Sequence, residues 1–188
     1  MAQHGLGRRS LAMRSFVCYR EGMSTKTALS VEEYLHTVFD GSDREYLDGE
    51  LVERNMGNKS HGRVQGRFIY LLSQFEGATG IFVIPEVRHK VTPTRYRIPD
   101  VAVFASEPAS EVPDHPPLAA IEVLSPDDRI GYVVPKLDEY RRWGVAHIWV
   151  ADPEDRKLLV YGDDGLHEVE QLELRELGIV LTKSEIFS

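Results

Sequence analysis

The sequence predicts an α/β domain in which a central mixed β-sheet is flanked by helices. Two segments carry apolar residues at helical spacing, and several short β-prone runs lie around them. A chain of 188 residues, 42% of them hydrophobic, has the size and composition of one globular domain rather than two. Helices and strands that alternate in one short chain are typical of a sheet covered by helices.

Charge and cysteine content exclude several classes of protein. Lys and Arg number 22 against 30 Asp and Glu, a formal charge of -8, so strong non-specific attraction to nucleic acid or anionic lipid is not expected. A phosphate-bearing partner would need a local basic site. The single cysteine, Cys18, excludes an intrachain disulfide and agrees with a cytoplasmic location. No apolar run approaches the roughly 20 residues of a membrane span, so we expect no membrane crossing.

The first 22 residues read as an extension of the domain. They contain four arginines against one acid and show no helical or strand period. Arg14 and Arg20 interrupt the apolar stretch that a twin-arginine export signal would need after Arg8-Arg9. We therefore expect residues 1–22 to be disordered and the domain to span residues 23–188.

A short helix and a hairpin are predicted at the start of the domain. Ser30 and Glu33 have capping-box spacing, which predicts a helix that ends near Phe39. Asp48-Gly49 then separates two short arms of alternating character within residues 45–53. An Asp-Gly pair between such arms is a strong signal for a β-hairpin.

The longest predicted helix covers residues 59–76. Apolar residues recur there at steps of three and four, and Gly77 and Gly80 end the pattern. Four β-prone runs follow, with a proline-rich loop at 108–117 before the last of them. The runs are residues 81–84, 87–91, 96–104 and 119–124.

One more helix and two more strands complete the predicted sheet. Pro135 is expected in the first turn of a helix that runs to Trp143, and Tyr140 is expected to pack that helix against the sheet. Residues 147–150 and 157–161 return to strand character on either side of a polar turn.

Two acids that interrupt apolar strands are the strongest chemical signals. Asp100 follows Pro99 within the run 96–104, and Glu122 lies inside the run 119–124. A buried acid needs a charge partner, and two such acids on adjacent strands could hold a hard cation such as Mg²⁺. A structural role for each acid remains an alternative: Asp100 could cap a turn, and Glu122 could form a salt bridge at a sheet edge.

Lys136, Glu50 and His61 are further candidates for catalysis. Lys136, at the start of the last predicted helix, could orient or help deprotonate a water, or neutralise charge on a phosphate oxygen. Glu50 could supply another acidic ligand, and His61 could contact phosphate or transfer a proton. Each has a structural alternative, because an acid beside a hairpin turn, a histidine at a helix start and a helical lysine are commonly solvated or make local contacts.

A basic stretch precedes Asp100 and could put positive charge beside the site despite the acidic total. Its residues are Arg88, His89, Lys90, Arg95 and Arg97. The alternative is the solvated face of a hairpin.

Several motifs occur in an order that is far more specific than any one of them. They are Glu45-Tyr-Leu-Asp-Gly-Glu50, His61, Pro99-Asp100, Ile121-Glu-Val-Leu-Ser-Pro126, Lys136, Tyr140, Gly144-Val145 and Trp149-Val-Ala-Asp-Pro153. Over residues 30–163 the chain resembles the Uma-two family of endonucleases, also grouped as domain of unknown function 820. That family is assigned to the restriction-endonuclease-like PD-(D/E)-x-K fold.

The resemblance implies a nuclease with DNA as substrate and Mg²⁺, or Mn²⁺, as cofactor. Asp100 and Glu122 take the places of the two acids of the motif, and Val123 completes the implied metal-binding set. Leu124 stands where the motif has its lysine, and the resemblance implies that Lys136 supplies this group from the following helix. Glu50 and His61 complete the candidate catalytic residues.

We therefore expect an Mg²⁺-dependent endodeoxyribonuclease. Two other functions stay open: a nuclease-like fold that binds nucleic acid or protein without cutting, and a metal hydrolase of small molecules. Because the acidic balance disfavours tight sequence-independent DNA binding, we expect recognition to involve a homodimer or another partner.

Overall fold

A computed structural model describes residues 29–55, 57–126, 128 and 130–188. The predicted extension, residues 1–22, lies outside the described residues. The predicted fold class is confirmed, because a mixed central sheet flanked by helices forms the middle of the described chain. Within the described part of the chain, no helix combines the length and apolar character that a membrane crossing requires.

Helices and strands alternate along the described chain. The helices are α1 Val31–His36, α2 Lys59–Ser73, α3 Glu76–Thr79, α4 Ile130–Trp143 and α5 Lys183–Ile186. The strands are β1 Glu45–Leu47, β2 Glu50–Val52, β3 Phe82–Pro85, β4 His89–Thr92, β5 Arg95–Arg97, β6 Val101–Phe104, β7 Ala119–Val123, β8 His147–Asp152, β9 Lys157–Gly162, β10 Gly165–Val169, β11 Gln171–Leu174 and β12 Ile179–Thr182.

The central sheet has six strands in the order β10-β9-β8-β7-β6-β3. β7 and β8 are parallel and joined by α4, and the other neighbours are antiparallel. Successive residues of a strand point to opposite faces: Ile121 packs in the core with α2, whereas Ala120 packs beneath α4. Glu122 shares the face of Ala120 and therefore points towards α4.

A second sheet, of four antiparallel strands in the order β2-β1-β5-β4, has two different faces. Tyr46 and Tyr96 are register partners and pack in an aromatic core beneath α1. Their chain neighbours Glu45 and Arg97 point the opposite way. This charged face meets α4, where Arg97 Nε donates to Glu139 Oε2 at 2.5 Å.

The prediction of one strand at 96–104 is wrong. The segment forms β5 and β6, which belong to different sheets, and Pro99-Asp100 connects them. Pro99 has no N–H to donate to a neighbouring strand, so the ladder stops there. Asp100 is therefore left in a bend between the two sheets.

Helix boundaries also differ from the predictions. α1 ends at His36 rather than near Phe39, and α2 ends at Ser73. α4 begins at Ile130, so Pro135 lies inside the helix rather than in its first turn. A proline there removes one backbone hydrogen bond, but the apolar face of α4 packed on the sheet holds the helix.

No helix or strand is predicted from the sequence for residues 165–188. β10 extends the central sheet there, and β11 and β12 form a separate two-stranded sheet. Leu172 and Leu181 of that small sheet pack into the same core as α2.

Candidate functional site

The two candidate acids, Asp100 and Glu122, line one cavity of about 340 Å³. In the antiparallel pair of β6 and β7, Val101 lies opposite Ile121, so one further step brings Asp100 next to Glu122. The bend between the sheets, the beginning of α2 and one face of α4 surround the cavity. Its charged lining includes Glu45, Arg54, His61, Arg97 and Lys136.

Asp100 is 4% exposed, and both of its carboxylate oxygens have partners. The backbone N–H of Val123 donates to Oδ2 at 2.7 Å, and Arg54 Nη2 donates to Oδ1 at 2.7 Å. Burial alone would raise the pKa of Asp100, but the hydrogen bond from His61 and the nearby cations outweigh it and lower that pKa. Asp100 is therefore an anion at neutral pH.

Glu122 is buried on the α4 face of β7. Its Oε2 accepts from Lys136 Nζ at 2.8 Å, and its Oε1 accepts from the Tyr140 hydroxyl at 2.8 Å. Tyr140 thus packs α4 on the sheet, as predicted, and also orients Glu122. Burial raises the pKa of Glu122 to about 7; the charge of Lys136 opposes this shift, and the charges of Asp100 and Glu45 add to it.

Lys136 enters the cavity from α4. Its Nζ lies 2.8 Å from Oε2 of Glu122 and 2.8 Å from Oε1 of Glu45, and it donates to the carbonyl oxygen of Ile98 at 3.0 Å. Three acceptors match the three N–H groups of an ammonium. Burial alone would lower the pKa of Lys136, but the surrounding carboxylates raise it above its usual value. Lys136 is therefore a positive charge held between two acids.

Glu45, rather than Glu50, is the hairpin acid inside the cavity. Glu45 is 3% exposed, and its Oε2 accepts from Arg97 Nη1 at 2.6 Å. Burial alone would raise the pKa of Glu45, but Lys136 and Arg97 lower it. Glu50 is an exposed residue of β2 that does not line the cavity. The alternation of residues along β1 is the sequence signal that could have identified Glu45. Because Tyr46 faces the aromatic core, its neighbour Glu45 must face the opposite side.

His61 lies in the first turn of α2 and reaches Asp100. Asn58 caps the helix by accepting from the His61 backbone N–H at 2.9 Å. The Nε2 of His61 is 3.4 Å from Asp100 Oδ2, and this contact raises the pKa of His61. A Cβ at Gly57 would come within 2.7 Å of the ring Nδ1, so a glycine at that position allows the ring to lie where it does.

The three arginines of the basic stretch before Asp100 are paired with acids. Arg88 donates to Asp43 at 2.6 Å and also to carbonyl groups near the end of α1. Arg97 lies between Glu45 and Glu139. Arg97 is the residue of this stretch that lines the cavity, and it does so within buried ion pairs.

The donor atoms of the cavity fit a hard divalent cation. Asp100 and Glu122 are neighbouring buried carboxylates that repel each other, and a divalent cation relieves that repulsion. Mg²⁺ is commonly bound by one or two carboxylates together with water and substrate phosphate. The backbone N–H of Val123 donates to Asp100, so the carbonyl oxygen is the atom of Val123 that could bind a metal. No group of three or more His, Cys, Asp or Glu residues arranged to hold an ion occurs among the described residues.

Comparisons with known proteins identify the family. A solved structure from Anabaena variabilis ATCC 29413, described as "a putative nuclease belonging to DUF820", matches with a TM-score of 0.72 and 18% identity, over 83% of this chain and 96% of that chain. This similarity shows a shared fold. No curated protein matches the sequence. Residues 31–188 match the family model Uma2, described as "Putative restriction endonuclease". Because this match covers most of the sequence, the chain belongs to the Uma2 family of restriction-endonuclease-like proteins.

Proposed function

We propose that the protein is a metal-dependent endonuclease that hydrolyses DNA phosphodiester bonds. The observation that carries the proposal is the contact between Lys136 and Glu122 in the cavity that Asp100 also lines. Two acids and a lysine in one cavity agree with the resemblance to the PD-(D/E)-x-K fold, although the lysine here comes from α4. Membership of the Uma2 family supports nucleic acid as the substrate class.

Asp100 and Glu122 would hold Mg²⁺ or Mn²⁺, with the carbonyl of Val123 as a further ligand. When bound, such an ion stabilises charge on phosphate oxygens and makes water a better nucleophile. Hydrogen bonds from Tyr140 and from the Val123 N–H hold the two carboxylates in place. Acids that are already oriented lose little free energy to reorganisation when a ligand enters.

Lys136 and His61 have different roles in this proposal. A lysine whose pKa is raised is a poor base at neutral pH, so Lys136 stabilises negative charge on the phosphate and orients the attacking water. His61, whose pKa is raised from the usual value of a histidine, can hold a proton near neutral pH and give it to the leaving oxygen.

Cleavage of a supercoiled plasmid and of a labelled oligonucleotide tests the proposal. We expect cleavage in Mg²⁺ or Mn²⁺ and none in EDTA, and we expect Asp100→Asn and Glu122→Gln each to abolish it. Glu107→Gln makes the same change at an exposed loop acid and is the matched control. Circular dichroism checks that each variant folds. Wild-type cleavage by both folded cavity variants would remove Asp100 and Glu122 from the reaction.

Binding without cleavage is the second candidate, and one observation favours it. All four carboxylate oxygens of Asp100 and Glu122 already accept hydrogen bonds from protein groups, so a cation competes with these donors for the two carboxylates. A pure binding module would bind labelled DNA in Mg²⁺ without cutting it. Asp100→Asn would then leave its DNA affinity unchanged.

A homodimer and a cytoplasmic location complete the proposal. The formal charge of -8 gives one copy little general attraction for DNA, and two copies would double the contacts. Light scattering coupled to gel filtration measures the mass in solution. A monomer that cleaves at full rate would contradict the dimer while leaving the proposed reaction intact.

A further inference from the structure

The loop between β2 and α2 places Arg54 against Asp100. Arg54 Nη2 donates to Asp100 Oδ1 at 2.7 Å, and the two side chains are 14% and 6% exposed. Arg54 Nη1 lies 3.9 Å from Oε2 of Glu86, whose side chain is 51% exposed. The buried contact is the shorter one, so Arg54 mainly neutralises Asp100.

Arg54 is the partner of Asp100 that can leave without disturbing secondary structure. Val123 donates from the backbone of β7, and His61 is fixed by the capped first turn of α2. Arg54 reaches Asp100 through a long side chain from a segment without regular structure. A cation that binds Asp100 competes with the guanidinium for the same carboxylate, and Arg54 is therefore the donor that gives way.

The other cations of the cavity keep acid partners after such an exchange. Lys136 contacts Glu45 as well as Glu122, and Arg97 contacts Glu45 and Glu139. Neither Glu45 nor Glu139 is a candidate metal ligand. Among the described lysines and arginines that line the cavity, Arg54 is thus the one whose main partner a metal would take.

The guanidinium has room to turn within the site. Arg54 lines the cavity of about 340 Å³ and also an adjoining one of about 190 Å³ at the beginning of α2. A guanidinium released from a carboxylate binds phosphate oxygens well, because its parallel N–H groups match two oxygens at once.

We propose that Arg54 is a phosphate-binding residue that neutralises Asp100 in the metal-free site and exchanges this carboxylate for a phosphate of the nucleic acid when metal binds. This inference rests on the proposed function, because it requires a metal at Asp100 and a phosphodiester in the cavity. Arg54 then couples the two ligands: metal releases the guanidinium for phosphate, and phosphate keeps it away from Asp100, so each ligand tightens the other.

Binding measurements test the exchange without relying on cleavage. Calorimetry gives the Mn²⁺ affinity, and fluorescence anisotropy of a short labelled duplex gives the DNA affinity in Ca²⁺ and in EDTA. Arg54→Gln should bind Mn²⁺ about 10-fold more tightly, because the competing cation is gone, and should bind DNA in Ca²⁺ about 10-fold more weakly. Arg54→Lys should keep the wild-type Mn²⁺ affinity but lose DNA affinity, because an ammonium lacks the paired N–H groups.

Arg142→Gln is the matched control, since it removes the same charge from an exposed side chain of α4 outside the cavity. It should change neither affinity by more than about 2-fold. Circular dichroism establishes that the variants fold. If Arg54→Gln does not fold, the DNA affinity of Arg54→Lys is the deciding measurement. Wild-type DNA affinity in Arg54→Lys overturns the inference.

The outcomes separate this inference from the proposed function. Unchanged or weaker Mn²⁺ binding by folded Arg54→Gln, with binding abolished by Asp100→Asn, overturns the exchange and leaves the proposed function standing. Mn²⁺ binding that Asp100→Asn does not affect overturns both. Tighter Mn²⁺ binding together with weaker DNA binding supports the exchange.

Discussion

Oε1 of Glu45 and Nζ of Lys136 lie 2.8 Å apart inside the cavity. This buried ion pair joins β1, in the four-stranded sheet, to α4. Lys136 also holds Glu122 of the central sheet, so one ammonium links the two sheets at the site. A change at either end should therefore affect both the stability of the fold and the geometry of the cavity.

Glu45→Gln should lower the free energy of unfolding by about 3 kcal/mol, because it leaves Lys136 and Arg97 buried with one fewer acid. Glu50→Gln should change stability little, since Glu50 is exposed. Urea unfolding followed by circular dichroism measures both. Cleavage should fall in the first variant and stay near the wild-type rate in the second. Equal effects of the two substitutions would contradict the placement of Glu45 in the cavity.

Lys136→Ala should lower the cleavage rate by roughly 100-fold, the scale of removing one group that stabilises charge in the transition state. Lys136→Arg should cleave little faster than Lys136→Ala, because a planar guanidinium does not fit three acceptors placed around an ammonium. The rates come from single-turnover cleavage of a labelled oligonucleotide. Lys157→Ala, at a partly exposed lysine paired with Asp155 outside the cavity, is the control.

Leu124→Lys in the Lys136→Ala background should recover part of the lost cleavage. Leu124 stands at the lysine position of the usual motif and lines the same cavity as Lys136, so a lysine there reaches the same centre. The recovered rate is compared with that of Lys136→Ala alone. A wild-type rate in Lys136→Ala without the second change would remove Lys136 from the mechanism.

Stability between pH 6.5 and pH 4 should depend on His89. The ring is fully buried and stacks on Phe104, and its Nε2 has no hydrogen-bond partner within the described part of the chain. Burial lowers the pKa of His89 to about 4, so in this range the unfolded chain takes up a proton that the folded chain refuses. The free energy of unfolding therefore falls as the pH falls through this range, by at most about 3 kcal/mol from this group.

The measurement is the difference between wild type and His89→Leu in urea unfolding at pH 7 and pH 5. Other groups titrate in both proteins, so only the difference reports His89. The wild type should lose more stability than the variant on acidification. His167→Leu, at a half-exposed histidine, should behave as wild type; the same pH dependence in all three proteins would show that His89 titrates normally.

A chain that begins at Met23 should melt at the same temperature as the full chain and cleave at the same rate. The family match begins at residue 31, and residues 1–22 show no capping or periodic signal and carry the opposite charge to the domain. Thermal unfolding and plasmid cleavage compare the two chains. A melting temperature lower by several degrees would mean that the first 22 residues contact the domain.

Short-range patterns in the sequence were sufficient to predict much of the secondary structure. The capping box at Ser30, the Asp48-Gly49 hairpin and the start of α2 are formed by residues a few positions apart, and all three occur as predicted. Asp100 and Glu122 could be recognised for a similar reason. An acid within an apolar run is a local anomaly, and burial of its charge requires a partner.

Contacts between distant parts of the chain determine the strand boundaries and site residues that these short-range patterns could not predict. Residues 96–104 divide into β5 and β6 because the two halves of this segment pair with strands of different sheets. Glu45 lies in the cavity, and Glu50 does not, because of the face of β1 that meets α4. Arg54 gave no local signal, because its partner Asp100 lies 46 residues away. Sheet register and the packing of α4 bring such residues together, and the free energy of a buried charge depends on neighbours that the fold supplies.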